Sequence, residues 1–179
     1  MKNKGAFVKV FFSLTSLNDE IHRTFEAYTC TPEDRLDAMG KLSEAGISTD
    51  ALLMPVLPFI SDTEEELDPL FSAVKEKGGG HIIPEPLRLT ANGPQREMFM
   101  DVLKGYSPSL VKEYEKLYPP RSKGWKFGAG PGITPRTGEV ARRLEELSKK
   151  YDLPPMFERP VVSRGRPKQA PQRTLGDFF

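Results

Sequence analysis

Cysteine is nearly absent from this sequence, which has a single one, Cys30, among its 179 residues. One thiol cannot form an internal disulfide, nor supply by itself the ligands of a cysteine-based metal site. Histidine is almost as scarce, with His22 and His81 as the only two. Two distant histidines without acidic side chains at ligand spacing favour structural roles. These scarcities predict that the chain binds no metal by itself.

Long apolar runs and a strong net charge are missing as well. No apolar run approaches the roughly 20 residues that span a bilayer, and the N-terminus lacks the apolar region of a signal peptide. The 26 Lys and Arg residues nearly balance the 25 Asp and Glu residues, which gives a net charge of +1. This balance excludes a histone-like protein, and together these features predict a cytoplasmic protein with no membrane partner.

Three apolar runs in residues 1–90 predict strands. They are Ala6–Leu14, Ala51–Leu57 and a short run that begins at His81. The first is almost continuously apolar and rich in Val and Phe, which is typical of a strand buried on both faces of a parallel sheet.

Helical patterns separate these runs. Thr31-Pro32-Glu33-Asp34 provides an N-cap, a first-turn proline and acids at the positive end of the dipole, and Gly46 ends the helix. A second helix begins at Asp62 or Thr63 and ends at the glycines 78–80. Strand–helix alternation of this kind predicts an α/β fold with a parallel sheet.

Residues 91–153 predict a helical C-terminal extension. Helices are expected over Pro94–Leu103, Pro108–Tyr118 and Thr137–Tyr151, and the last of these has a clear apolar stripe. A glycine-rich stretch at 124–138 predicts a loop. The extension therefore differs in pattern from the alternating part that precedes it.

The C-terminal segment has a composition of its own. Proline, at 17 of 179 residues, is nearly twice its average usage of about 5%, and five of the 17 lie in residues 154–171. Residues 158–179 contain five basic and two acidic side chains, so this tail has a charge of +3 and the body has −2. Residues 154–171 are therefore predicted to be a disordered, basic linker.

The last eight residues, 172–179, resemble a PCNA-interacting peptide (PIP box), the motif that docks on sliding clamps. Its four defining positions are occupied by Gln172, Leu175, Phe178 and Phe179. The apolar side chains fall on one side of a single helical turn and would fill an apolar pocket, while the glutamine donates directional hydrogen bonds. The alternative is a terminal segment that folds back onto its own core.

The N-terminal third of the chain resembles radical SAM proteins related to spore photoproduct lyase, often called DNA repair photolyase-like. The family pattern combines a strand that ends in Ser-(Ile/Leu)-Thr, an Arg-Leu helix, a Glu-Ala-Gly-Ile turn and a proline-flanked strand end. The matching stretches here are Phe12–Glu20, Phe25–Glu26, Thr31–Leu36, Leu42–Ile47, Met54–Pro58 and Asp62.

This resemblance implies a partial (β/α) half-barrel, strands four to six of a radical SAM-type barrel. It places Ser13 and Thr15 at the end of strand four, against the amino-acid part of S-adenosylmethionine. It places Pro55 and Pro58 near the adenosyl group, which agrees with the general position of sites at the carboxyl ends of parallel strands. The alternative for Ser13 is a strand-terminal serine that satisfies backbone groups. No catalytic residue is identified.

Two departures from the family pattern limit the expected function. The family's Glu-Pro is Glu26-Ala27 here, and the C-x-x-x-C-x-x-C loop that holds the [4Fe–4S] cluster is absent. A cluster of this kind is held by several cysteine thiolates. The chain alone is therefore expected not to hold the cluster or to start radical chemistry.

A half-barrel leaves the Ala6–Leu14 strand as an open, apolar edge that something must cover. An N-terminal half-barrel chain that carries the cluster is the favoured partner. The alternatives are self-association and the surviving part of a split or truncated gene. The leading hypothesis is a clamp-recruited half of a DNA repair enzyme. The competing hypotheses are a non-enzymatic PCNA-binding adaptor and a nonspecific DNA-binding protein, the latter disfavoured by the −2 charge of the body.

Other polar residues give weaker predictions. Glu85 and Arg88 follow the third strand and either line the cleft or form a surface ion pair. The basic and aromatic residues around Trp125 suit contact with DNA, but packing of Trp125 against the last helix is the stronger expectation.

Overall fold

The structure is a computed structural model that describes residues 8–90, 92–119 and 137–154. In these ranges the chain forms three strands and six helices. In chain order they are β1 (Lys9–Ser13), α1 (Asp19–Phe25), α2 (Pro32–Glu44), β2 (Ser48–Val56), α3 (Glu64–Glu76), β3 (Ile82–Pro86), α4 (Pro94–Tyr106), α5 (Leu110–Leu117) and α6 (Thr137–Tyr151).

The three strands form one parallel sheet in the order β1-β2-β3. Phe12 lies opposite Ala51, and Ala51 lies opposite Ile82, so these three residues share one face. The α/β class and the parallel sheet predicted from sequence are confirmed. Among the described residues the sheet is open, with β1 and β3 as its edges.

The predicted burial of the first strand on both faces is wrong. Phe11 is 41% exposed and Val8, just before β1, is 55% exposed. No residue of β1 is fully buried, because β2 is its only neighbouring strand in the described ranges. The first strand is therefore an edge strand, and residues 6–7 of the predicted run lie outside the described residues.

The predicted helix signals around α2 are confirmed. The Thr31 hydroxyl accepts a hydrogen bond from the Asp34 N–H at 3.1 Å, and Pro32 occupies the first helical position. Gly46 follows the helix with a φ of +78°, a left-handed conformation that glycine adopts without steric cost. Local chemistry therefore sets both ends of this helix.

Helix α1 is not among the sequence-predicted elements. It begins after Asn18, whose side-chain oxygen accepts from the Glu20 N–H at 2.9 Å and the Ile21 N–H at 3.4 Å. The helix has only seven residues and buries only Ile21 and His22. Two turns are too short for a periodic apolar pattern to reveal.

One apolar core lies between the sheet and helices α2, α3 and α6. Arg143 of α6 donates a hydrogen bond to the Asp62 carbonyl, and Lys150 lies 2.5 Å from Asp68 of α3. These contacts dock α6 against α3 while its apolar stripe joins the core. The side chains that fill this core include Leu14, Leu36, Met39, Ala51, Leu53, Leu67, Leu70, Phe71, Val74, Ile82 and Leu147.

A second core lies where the chain leaves β2 and β3, under helices α1, α4 and α5. Tyr114 donates a hydrogen bond to the Pro58 carbonyl at 2.8 Å, and Tyr118 donates to the Leu87 carbonyl at 2.9 Å. Burial, with a smaller contribution from Asp62, raises the pKa of Tyr118 to about 12. These tyrosines fix the segments that follow the two strands. No helix within the described ranges is long and apolar enough to cross a membrane.

Candidate functional site

Polar side chains gather where β1 and β2 end. The Ser13 hydroxyl donates to the Met54 carbonyl at 3.1 Å, and the Thr15 hydroxyl lies 3.4 Å from the same oxygen. Thr15 is also 3.1 Å from a carboxylate oxygen of Glu26, so its single proton lies between two acceptors. Ser13 and Thr15 therefore meet at one carbonyl, next to Pro55.

Arg35 ties this end of the sheet together from α2. One guanidinium nitrogen donates to the Ser13 carbonyl at 2.7 Å and lies 3.3 Å from Glu26, and the other donates to the Thr29 hydroxyl at 2.6 Å. The Arg35 and Glu26 side chains are 14% and 20% exposed. We call Ser13, Thr15, Glu26, Thr29 and Arg35 the carboxyl-end cluster.

His22 borders the carboxyl-end cluster. Its Nε2 lies 3.2 Å from the Thr29 hydroxyl, which itself donates to the Glu26 carbonyl at 2.8 Å. Because that donation uses the only hydroxyl proton, Nε2 is the donor to Thr29 when Thr29 keeps this bond. The histidine is buried, at 8% exposed, and its contact is with the protein itself, in keeping with a structural role.

A second set of hydrogen bonds joins the end of β1 to α3. The Ser16 hydroxyl donates to Glu66 at 2.5 Å, and the Asn18 amide donates to the other Glu66 oxygen at 3.0 Å. Burial, with the nearby carboxylates of Glu20 and Glu66, raises the pKa of Tyr106. Glu66 thus places the start of α1 beside α3 and brings negative charge close to the cluster.

The two prolines predicted for the cleft lie in different surroundings. Pro55 is half-buried and follows Met54, whose carbonyl faces Ser13 and Thr15. Pro58 is buried in the second core, where the Tyr114 hydroxyl donates a hydrogen bond to the Pro58 carbonyl. The structure thus brings Ser13, Thr15 and Pro55 together, whereas Pro58 lies under α5.

The other polar residues at the third strand form an exposed pair. Arg88 donates to Glu85 at 2.9 Å, and the two side chains are 67% and 41% exposed. This geometry is that of a surface ion pair, one of the two alternatives that the sequence left open.

A different charged cluster occupies the amino end of the same sheet. The Asp50 carboxylate is fully buried, with the Lys9 ammonium at 2.6 Å and His81 Nδ1 at 2.9 Å. We call Lys9, Asp50 and His81 the amino-end cluster. The cluster joins a residue of β1, a residue of β2 and the residue just before β3. The contact with Asp50 is consistent with a structural role for His81.

The described residues offer little for metal binding. Across 8–90, 92–119 and 137–154, no group of three His, Cys, Asp or Glu side chains is arranged to hold a metal ion. Cys30 is exposed in the loop between α1 and α2. The four clamp-motif positions Gln172, Leu175, Phe178 and Phe179, and nearly all of the predicted linker, lie outside the described residues.

Sequence reasoning missed Arg35, Glu26 and Thr29 as site residues. Arg35 and Glu26 were visible only as parts of the family pattern, and Thr29 gave no signal. The contacts of Arg35 with Glu26 and with Ser13 join positions nine and 22 residues apart along the chain, so no local spacing rule predicts them.

Comparison with known proteins gives relatives of unknown function. No protein-family model matches the chain, and no solved structure matches it. It is similar to uncharacterized proteins of Mycobacterium bovis and of two strains of Mycobacterium tuberculosis, each 33% identical over 147 residues. The match covers 82% of this chain but only 40% of each relative. The chain thus spans less than half the length of the curated relatives it matches.

Proposed function

We propose that this chain is the C-terminal half of a radical SAM, DNA repair photolyase-like protein, and that a separate cluster-bearing half completes it. Three parallel strands with helices packed on one face suit strands four to six of such a barrel. The observation that carries the proposal is the meeting of the Ser13 and Thr15 hydroxyls at the Met54 carbonyl, beside Pro55. These are the positions that the family resemblance assigns to S-adenosylmethionine.

The donor set at this end of the sheet fits S-adenosylmethionine. Ser13 and Thr15 would hold its amino-acid part, and the Glu26 carboxylate, 20% exposed, would attract its ammonium group. Pro55 would flank the adenosyl side, whereas Pro58, buried under α5, is not part of the proposed site. When bound and reduced, this cofactor supplies the radical chemistry of the family, while the chain's own residues bind and orient it.

The [4Fe–4S] cluster does not fit this chain. Such clusters are held by cysteine thiolates, and Cys30 is the only cysteine in the sequence. The cluster must therefore come from the other half, and no step of the reaction is assigned to this chain alone.

We further propose that the C-terminal peptide tethers the protein to the PCNA sliding clamp, on DNA in the cytoplasm. The four defining positions of the motif support this partner, and the basic residues before it suit an acidic clamp surface or nearby DNA. The lone cysteine together with this motif favours a second candidate function, a non-enzymatic clamp-binding adaptor that keeps the half-barrel as a scaffold.

Reconstitution separates the two candidates. The full chain is co-expressed with a polypeptide that carries the C-x-x-x-C-x-x-C half, and iron content and S-adenosylmethionine binding are measured anaerobically. We expect a brown complex in which the double variant Ser13→Ala/Thr15→Ala weakens S-adenosylmethionine binding about tenfold or more, since two hydrogen-bonding groups are lost. The control Ser48→Ala, at the amino end of β2, should bind like the wild type. A colourless complex without S-adenosylmethionine binding would favour the adaptor.

The clamp tether has its own test. Replacing Phe178 and Phe179 with Ala removes the aromatic anchors, so calorimetry with PCNA should show binding weakened at least about 30-fold. The control Thr174→Ala changes a position in the same peptide that the motif does not define, and it should leave affinity nearly unchanged. Unchanged affinity of the Phe178/Phe179 variant would reject the clamp motif.

A further inference from the structure

The two edges of the sheet differ in what their backbones can bind. In a parallel ladder, alternate residues direct both their N–H and C=O groups to the same side. The observed bonds from Leu14 N–H to the Leu52 carbonyl and from Ala51 N–H to the His81 carbonyl fix which residues these are on each strand. The outward-facing groups of β1 and β3 can therefore be assigned.

On β1 the outward-facing residues are Lys9, Phe11 and Ser13. Phe11 directs its N–H and C=O away from β2, and Ser13 directs its N–H the same way. The Ser13 carbonyl already accepts from Arg35 at 2.7 Å, which marks the end of this edge. None of these residues is proline, so a further strand would meet a continuous row of backbone donors and acceptors.

On β3 the outward-facing residues are Ile82, Pro84 and Pro86. Proline has no N–H, so two of the three donor positions on this edge are missing. In the register with β2, Leu53 lies opposite Pro84 and Val56 opposite Pro86, and the Leu87 N–H still bonds the Val56 carbonyl. The prolines thus leave the inner ladder in place and block only the outer side.

The exposed apolar surface lies on the same side as the open edge. Phe11, 41% exposed, shares a sheet face with the half-buried Leu52 and Ile83, opposite the face that α2, α3 and α6 cover. The matched relatives continue for more than half their length outside the alignment. The relatives therefore contain further chain that can supply such a strand.

We infer that a parallel strand from the complementary half pairs with β1 through the backbone of Phe11 and Ser13, and that the β3 edge accepts none. This inference rests on the proposed function for the identity of the partner. It adds that assembly stops at one copy of each half, because only one edge of this sheet can be extended.

Amide hydrogen exchange tests the pairing directly. The probe is the part of the Mycobacterium tuberculosis relative that lies outside the 147-residue match, co-expressed with the full chain. In the complex, the Phe11 and Ser13 amides should exchange at least about 100-fold more slowly than in the free chain, because each becomes a ladder donor. The outward Ile82 amide should be unchanged, and light scattering should give a one-to-one complex.

Two variants separate the edges. Phe11→Pro removes the outward N–H together with the aromatic side chain, whereas the matched control Phe11→Ala removes the side chain and keeps the N–H. The proline variant should bind at least about tenfold more weakly than the alanine variant. Pro84→Ala, which returns a donor to the β3 edge, should leave binding within about twofold. If Phe11→Pro fails to fold, the exchange measurement on the wild-type complex still decides.

The outcomes also separate this inference from the proposed function. Failure to form a complex, or a complex in which Phe11 exchanges as fast as in the free chain, overturns the pairing. A one-to-one complex with protected Phe11 and Ser13 but no S-adenosylmethionine binding supports the pairing and rejects the proposed enzyme.

Discussion

The two ends of the sheet use charge in different ways. At the amino end, one fully buried carboxylate, Asp50, lies between two cationic or ionisable groups in the amino-end cluster. At the carboxyl end, the Arg35–Glu26 pair is partly exposed and shares its bonds with the Ser13 carbonyl and with the hydroxyl groups of Thr15 and Thr29. The amino end of the sheet thus holds a fully buried charged contact, and the carboxyl end holds partly exposed polar groups.

This difference matches the division of labour in parallel α/β folds, where residues at the carboxyl ends serve function and those at the amino ends serve stability. The Asp50 carboxylate is fully buried between its two partners, so a ligand cannot reach it. Hydroxyls that share a proton between two acceptors can exchange one of them for a ligand atom at small cost. The comparison therefore predicts that substitutions at the two ends have opposite consequences for stability and binding.

The largest effect on stability is expected from Asp50→Asn. Lys9 and His81 lose their shared anion in a buried position, which should lower the free energy of unfolding by about 3 kcal/mol. Urea unfolding followed by circular dichroism measures this loss. The control Asp19→Asn changes an exposed partner of Arg23 and should cost less than about 0.5 kcal/mol. A loss below about 1 kcal/mol for Asp50→Asn would contradict the stabilising role of the amino-end cluster.

A smaller stability effect and a larger binding effect are expected from Arg35→Met. The variant loses bonds to the Ser13 carbonyl, Glu26 and Thr29, and partial exposure limits the cost to about 1–2 kcal/mol. S-adenosylmethionine binding by the reconstituted complex should fall more than in Asp50→Asn, measured on folded protein. Arg23→Met, which removes an exposed arginine, is the control. Equal binding in the Arg35 and Arg23 variants would argue against the carboxyl-end cluster.

The smallest effect is expected far from both ends, at the contact between α3 and α6. The hydrogen bond from Lys150, followed by that from Tyr151, lowers the pKa of Asp68. A lowered carboxyl pKa stabilises the fold above the ordinary value of about 3.9, and this contribution is lost as the pH falls through the lower folded value. Because both charges are partly exposed, Asp68→Asn should cost less than about 1 kcal/mol at pH 7.

Thermal unfolding at two pH values checks this expectation. The difference between Asp68→Asn and the wild type should be present at neutral pH and should vanish in acid, once the pH is below the lowered pKa of the folded wild-type carboxylate. A difference that persists at acid pH would mean that packing, not charge, holds α6 against α3.

Local chemistry predicted much of the fold. The Thr31 cap and the glycine after α2 are signals within one turn of the chain, and both appear in the structure as expected. The apolar pattern predicts that β2 begins at Ala51, whereas the strand begins at Ser48. Its first residues include Asp50, an acid whose place in a strand depends on Lys9 and His81, 41 and 31 residues away. Distant partners of this kind are invisible to local patterns.

The candidate site also contains some residues that local patterns predict and others that depend on distant contacts. The resemblance pointed to Ser13, Thr15 and Pro55, which lie together, and these residues are close to strand ends that an apolar pattern can locate. Arg35 reaches back to Ser13 from a helix 22 residues later, and only the packing of α2 against the sheet determines that reach. The exposure of β1 likewise depends on which strand lies beside it.

The most direct test of the account is hydrogen–deuterium exchange of the reconstituted complex with and without saturating S-adenosylmethionine. We expect slower exchange in peptides covering residues 13–35, which contain the carboxyl-end cluster, and no change in peptides around Asp50 and His81. Protection confined to the amino end, or no protection anywhere along the chain, would contradict the assignment of the carboxyl ends of β1 and β2 as the binding site.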